Sequence, residues 1–199
     1  MNTFRLLLLA LFSAGILHAP APAKAEEPAE GNLLTNGNFE KGTEGWEFVN
    51  WGKNDKMEID MAELHEGKPT LRVENPEPGH CYVRQIVMGK PHTHYRLTAY
   101  IKTKNVEPAK KGAKAGAAQK AGSAQKAGAV LEVGRTGIYT PPMQRTEDWK
   151  KVSVDFTTKE TGEIRVGPSL GNDAGFASGT AWFSDVTLVE LGVGAPRAF

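Results

Sequence analysis

The sequence predicts an all-β chain, a sandwich or barrel of antiparallel strands. Three observations carry this. Apolar and polar residues alternate strictly through most of the chain, glycine and proline cluster between the alternating runs, and no helical run is found beyond the N-terminal leader. Many short strands at this spacing must bury one face each, which they do by packing as a sandwich or closing as a barrel.

The elements follow in order. Arg5, the apolar run Leu6 to Ile16 and the small-x-small sequence Ala23-Lys24-Ala25 have the layout of a secretory signal peptide over residues 1–25. The run is too short to span a bilayer, which takes about 20 apolar residues. An exported location, secreted or periplasmic, is therefore expected. Residues 26–31 read as a linker, 32–191 as one domain and 192–199 as a tail. The lone Cys81 excludes an intramolecular disulfide in a compartment that would permit one.

Within the domain, Met57, Ile59 and Met61 share one strand face, opposite Glu58 and Asp60. Leu71 and Val73 alternate with Arg72 and Glu74. Tyr95, Leu97, Ala99 and Ile101 alternate with Arg96, Thr98 and Tyr100. Val152, Val154 and Phe156 form a further face, Ile164 and Val166 continue the pattern, and "AWFSDVTLVEL" makes a long final strand. "NPEPGH", "MGKPH" and "YTPPM" read as the turns between them. The segment 109–129, "AKKGAKAGAAQKAGSAQKAGA", differs from its surroundings. It holds five lysines and no acid, repeats "AQKAG", and offers no large apolar side chain to offset the entropy of ordering. It is expected to be a flexible insertion in a loop of one domain, a length that loop-closure entropy tolerates. Without it and the leader the body is acidic, near −6. The mature chain is nearly neutral, which gives no reason for a nucleic-acid partner.

The motifs, in order, resemble the family 4/9 carbohydrate-binding modules, galactose-binding-like jelly rolls found attached to secreted glycoside hydrolases. "NLLTNGNFEKGTEGW" resembles their first strand and turn, "HEGKPTLRVE" their glycine-lysine strand, and "YVRQIVMGKPHTHYRLTAYIKT" their glutamine strand and the tyrosine-led strand after it. "WKKVSVDFTT" and "GTAWFSDVTLVEL" are similar to the last strands. The resemblance implies a jelly-roll β-sandwich that binds polysaccharide or a cell-surface glycan without catalysis, with a separate glycoside hydrolase as a possible partner.

Oligosaccharides present flat C–H faces and many hydroxyls, so a site combines aromatic platforms with polar side chains. Tyr82 and Gln85 come first, on the strand that lines the family's cleft, followed by Trp51, Arg135, Tyr139 and Asn172. Trp46, Trp149 and Trp182 read as packing residues. The resemblance also implies one structural calcium ion, with ligands from Asn38, Glu40, Glu63 or Glu66, and an aspartate of the last strand. The family's paired aspartates are here Ser184-Asp185. Alternation puts Ser184, not Asp185, on the face of Val186 and Leu188.

Three other readings stand beside this one. A protein-interaction sandwich of the cell envelope would use a broad apolar patch instead of aromatics on one sheet. "EIDMAE" resembles the catalytic strand of laminarinase-type glycanases, with Glu58 as nucleophile and Glu63 as acid/base. His92 and His94 would share a strand face and could hold a metal.

Overall fold

The computed structural model describes residues 31–109 and 127–192. The expected signal peptide, residues 26–30 of the expected linker, most of the lysine-rich segment and the tail from residue 193 lie outside the described residues. No described helix is long and apolar enough to cross a membrane.

Ten strands form: β1 (Glu47–Asn50), β2 (Lys56–His65), β3 (Lys68–Gly79), β4 (Cys81–Met88), β5 (His94–Pro108), β6 (Ala129–Val133), β7 (Ile138–Tyr139), β8 (Arg145–Thr157), β9 (Glu163–Leu170) and β10 (Ala177–Gly192). They make two five-stranded antiparallel sheets, β1-β4-β9-β6-β7 and β2-β3-β10-β5-β8. The protein is a jelly-roll β-sandwich. We call the first sheet the front sheet and the second the back sheet.

The core lies between them, built by the inward half of each alternation. Tyr95, Leu97, Ala99 and Ile101 of β5 are fully buried and meet Leu71 and Val73 of β3 and Phe183 and Leu188 of β10. The front sheet contributes Val83, Leu131, Ile164, Val166 and Leu170. Burial of such side chains contributes roughly 1.5–3 kcal/mol each, which explains why the alternating runs and the strands coincide.

The structure departs from the sequence reading in five places. First, "NLLTNGNFEKGTEGW" forms turns, and the first strand begins only at Glu47. Asn36 organises the stretch: its side chain donates to the carbonyls of Gly42 and Glu44 and accepts from the Lys41 N–H. The Trp46 indole donates to the Asn36 carbonyl, while Phe39 is buried beside that ring at 5.4 Å. The turn is tied to β10 through the Val186 N–H and the Gly37 carbonyl. Gly37 is obligatory, since a Cβ there would lie 2.0 Å from the Val186 carbonyl oxygen.

Second, Met61 does not share the face of Met57 and Ile59; it is 70% exposed. Asp60 accepts the N–H groups of Ala62 and Glu63, and this side-chain turn shifts the β2–β3 register between Asp60 and His65. Third, a bulge in β10 breaks the alternation from Ser184. Ser184 pairs with Tyr100 and Thr187 with Thr98, so Asp185 and Val186 stand opposite Ala99 alone. Ser184 therefore shares the outward face of Tyr100, and Val186 points into the core. Asp185 takes the left-handed conformation at φ 50° that the bulge demands.

Fourth, "NPEPGH" is not a turn between neighbouring strands. β3 runs on to Gly79, and the chain crosses at His80 into β4 of the other sheet. The ends of the lysine-rich segment also differ from expectation. Ala109, Ala127 and Ala129 are buried, and the Ala109 N–H donates to the Phe176 carbonyl. Alanine and glycine fit there because the back-sheet strand β5 gives way to the front-sheet strand β6, leaving little room: a Cβ on Gly128 would meet the Met143 carbonyl at 2.5 Å.

Candidate carbohydrate-binding face

The outward face of the front sheet is set by register. Glu47 faces Arg84 and Val49 faces Tyr82 across β1–β4, Tyr82 faces Ser169 across β4–β9, and Glu132 faces Tyr139 across β6–β7. Cys81 and Val83 point the other way, into the core.

At one end of this face stands Trp51, the residue after β1. It is 56% exposed, and its ring stacks on the His80 imidazole with centroids 4.6 Å apart and planes 29° apart. The Trp51 N–H donates to the His80 carbonyl, which fixes the two residues together. The loop beneath is shaped by glycine. The Asp55 carboxylate rests on Gly52 and Gly79, where a Cβ would approach it to 2.0 and 3.0 Å. Both Asp55 oxygens are enclosed without a hydrogen-bond partner, and burial raises this acid above its usual value; the nearby Cys81 thiol and Gly52 backbone offset only part of the cost. Cys81 itself donates to Asn75 Oδ1, and burial pushes its thiol pKa far up. It is no nucleophile.

His80 is held in turn. Its Nε2 lies 3.2 Å from Glu132 Oε2, and both side chains are almost completely buried. The Tyr82 hydroxyl donates to the Glu132 carbonyl. Farther along the face, Arg84 holds Glu47 through two 3.0 Å bonds, which keeps that carboxyl below its usual range, and Arg165 does the same for Glu163 at 2.6 Å.

The six sequence-derived sugar residues thus separate. Trp51 presents an open ring. Arg135, in the turn after β6, is exposed, and Tyr139 is half-buried next to Glu132. The other three are structural. Tyr82 is only 3% exposed, and burial together with Glu132 pushes its hydroxyl pKa upward, so it supports the floor and offers no stacking surface. Gln85 is buried as a clamp, its Nε2 donating to the Thr35 carbonyl at 2.6 Å and its Oε1 accepting the Thr35 N–H. Asn172 is buried, its Oδ1 accepting the N–H groups of Ala174 and Gly175 in a turn. Sequence reasoning passed over His80, Glu132 and Asp173. Nothing local in the sequence says that β6 brings Glu132 to the His80 imidazole.

Of the residues proposed for calcium, Asn38, Glu66 and Asp185 line one cavity, of which Glu40 and Glu63 form no part. Asp185 accepts from Lys68 Nζ and approaches His65 Nδ1, both at 3.2 Å, so cationic and imidazole donors already meet its two oxygens. Glu63 pairs with Lys102 at 3.0 Å, Glu40 accepts from the Asn38 amide, and Glu66 is exposed. A calcium ion takes six to eight oxygens at about 2.3–2.6 Å, and here Lys68 Nζ stands against the Asp185 carboxylate where such a shell would need room. The glycanase strand is also divided. Glu58 is bound by Arg72, Glu63 by Lys102, and Asp60 accepts the Trp182 indole N–H at 2.8 Å. His92 precedes β5 with φ 50°, and His94 Nδ1 bonds the Thr157 hydroxyl at 2.8 Å.

The family model for the carbohydrate-binding domain of the 4/9 type matches residues 31–167, more than half of the chain. The chain belongs to this family. Its final strand, β10, lies beyond the matched span and completes the back sheet.

Solved structures share the architecture at low identity, which shows the fold alone. TmCBM61 in complex with β-1,4-galactotriose is 20% identical over 80% of this chain and 98% of its own, at a TM-score of 0.51. The N-terminal CBM22-1–GH10 modules of Clostridium thermocellum endo-1,4-β-D-xylanase 10B, complexed with xylohexaose, are 14% identical over 81% and 29%, with a TM-score of 0.51. The CBM22-1–CBM22-2 tandem of Paenibacillus barcinonensis Xyn10C is 14% identical over 85% and 49%, with a TM-score of 0.53. No curated protein is similar enough to this chain to count as a relative.

Proposed function

We propose that this carbohydrate-binding domain is an exported, non-catalytic module that holds polysaccharide on the front sheet, with Trp51 as its platform. The observation that carries this is the exposed, immobilised Trp51 ring. A tryptophan backed by a stacked imidazole and a backbone bond loses little freedom on binding, so most of the contact free energy appears as affinity. Its indole face suits the C–H face of a pyranose, while Arg135, Tyr139 and the Glu47–Arg84 pair supply hydroxyl partners along the same sheet. The acidic pairs of the back sheet are each engaged by a cation, which supports a binding role without hydrolysis.

The test is retention of the protein on insoluble cellulose, xylan, β-glucan and peptidoglycan, with Trp51→Ala and Trp149→Ala compared. Retention on one polymer, lost in Trp51→Ala and kept in Trp149→Ala, is expected. A folded protein retained by none of the four refutes the proposal and favours a protein-binding sandwich.

A further inference from the structure

The front face carries a group of side chains that saccharide stacking does not use. His80 Nε2 and carboxylate oxygens of Glu132 and Asp173 lie within 4.8 Å of one another. His80 and Glu132 are more than nine-tenths buried, while Asp173 is exposed at the rim. A histidine and one carboxylate satisfy each other. A second carboxylate brought to the same point from the rim adds like-charge repulsion, which a bound cation would relieve. Among the described residues, no lysine or arginine forms an ion pair with Glu132 or Asp173.

We propose that His80, Glu132 and Asp173 bind a divalent transition ion of the zinc class. The donor set decides the class: imidazole nitrogen with two carboxylates suits zinc, whereas calcium requires a shell of oxygens. Spacing agrees. Two ligands at ordinary zinc distances and a tetrahedral angle lie about 3.4 Å apart, and His80 Nε2 lies 3.2 Å from Glu132 Oε2. The pair is nearly in place before an ion arrives, and only Asp173, on the Asn172–Gly175 turn, has to close in. Three protein ligands leave a fourth position open on the solvent side. The ion would also lock the imidazole that supports Trp51.

The test titrates chelator-treated, dialysed protein with zinc chloride by calorimetry, with tryptophan fluorescence followed in parallel. One zinc per chain is expected, with affinity reduced at least tenfold by His80→Gln and by Asp173→Asn, and unchanged by a His92→Gln/His94→Gln double variant. Asp173 is exposed, so Asp173→Asn keeps the fold and decides the matter even where His80→Gln does not. Failure of the folded protein to bind zinc overturns the proposal. So does binding that survives Asp173→Asn, or that disappears with His92 and His94. Displacement of zinc by calcium at equal concentration overturns the assignment of ion class.

Discussion

The two outward faces of the sandwich use similar residues to opposite ends. On the back sheet, aromatic rings and charges pair with one another beside a cavity of about 920 Å³ lined by Asn38, Glu66, Lys68, Tyr100 and Asp185. His65 packs against Tyr100 and Trp149 with centroids 4.3 and 4.7 Å away, Lys68 and His65 meet Asp185, Lys102 meets Glu63, and Trp182 donates to Asp60. On the front sheet, the same pairing of an aromatic with histidine leaves Trp51 open, and the carboxylates of Glu132 and Asp173 meet without a lysine or arginine. A face whose groups are mutually satisfied has little left for a ligand. Incompleteness on a rigid support is the physical mark of a binding face.

The comparison is most directly broken by removing one ring from each face. Trp51→Ala is expected to weaken retention on the bound polymer at least tenfold, equivalent to about 1.4 kcal/mol, without lowering the melting temperature. Trp149→Ala should leave retention unchanged. The reverse outcome would move the site to the back sheet.

Next in size is the internal cation of the back face. Lys68→Ala leaves Asp185 with the imidazole and Ser184 as partners. It is expected to cost about 1 kcal/mol, the lower end for a partly exposed charged hydrogen bond, read as a lowered denaturation midpoint. The same contact predicts that adding calcium to chelator-treated wild-type protein leaves the thermal midpoint unchanged. A calcium-induced rise of several degrees would show that an ion displaces the ammonium.

A smaller, pH-dependent effect is expected beneath Trp51. The folded pKa of Asp55 lies above its ordinary 3.8, so the folded state holds this proton more tightly than the unfolded chain. Its contribution is fully favourable below that ordinary value and is lost as pH rises through the raised one. Asp55→Asn removes this dependence. The variant should therefore melt slightly above wild type at neutral pH, with the advantage shrinking as the pH falls through the raised value and gone once it is below about pH 4. A wild-type advantage that grows with pH would refute the buried, unpartnered reading of Asp55.

The smallest effect belongs to the exposed front pair. Glu47→Gln breaks a solvent-facing ion pair whose Coulomb gain is screened. Melting curves of the variant and wild type should superimpose, and a clear drop would mean that β1 depends on this pair for its place on the sheet edge.

Much of the fold was legible because alternation is a local property. The faces of Leu71 and Val73, and of Tyr95 to Ile101, follow from period-two spacing, and all six side chains are fully buried. Met61 and Ser184 were misplaced for a shared reason: each lies at a bulge, and one extra residue reverses every face beyond it. The site was legible only in part. Trp51 was among the six candidates, ranked behind Tyr82 and Gln85, which had the right strand and the wrong exposure. Their burial depends on Glu132 and Thr35, each about 50 positions away.

By itself, then, the sequence determined the all-β class, the inward residues of the regular strands and the family resemblance, since these rest on short-range spacing and ordered motifs. The tertiary structure decided which aromatic stays open, which carboxylates find cations, and that His80, Glu132 and Asp173 meet. Those outcomes depend on contacts between distant segments, and the free energy of a polar or aromatic side chain is fixed by the neighbour it finds there.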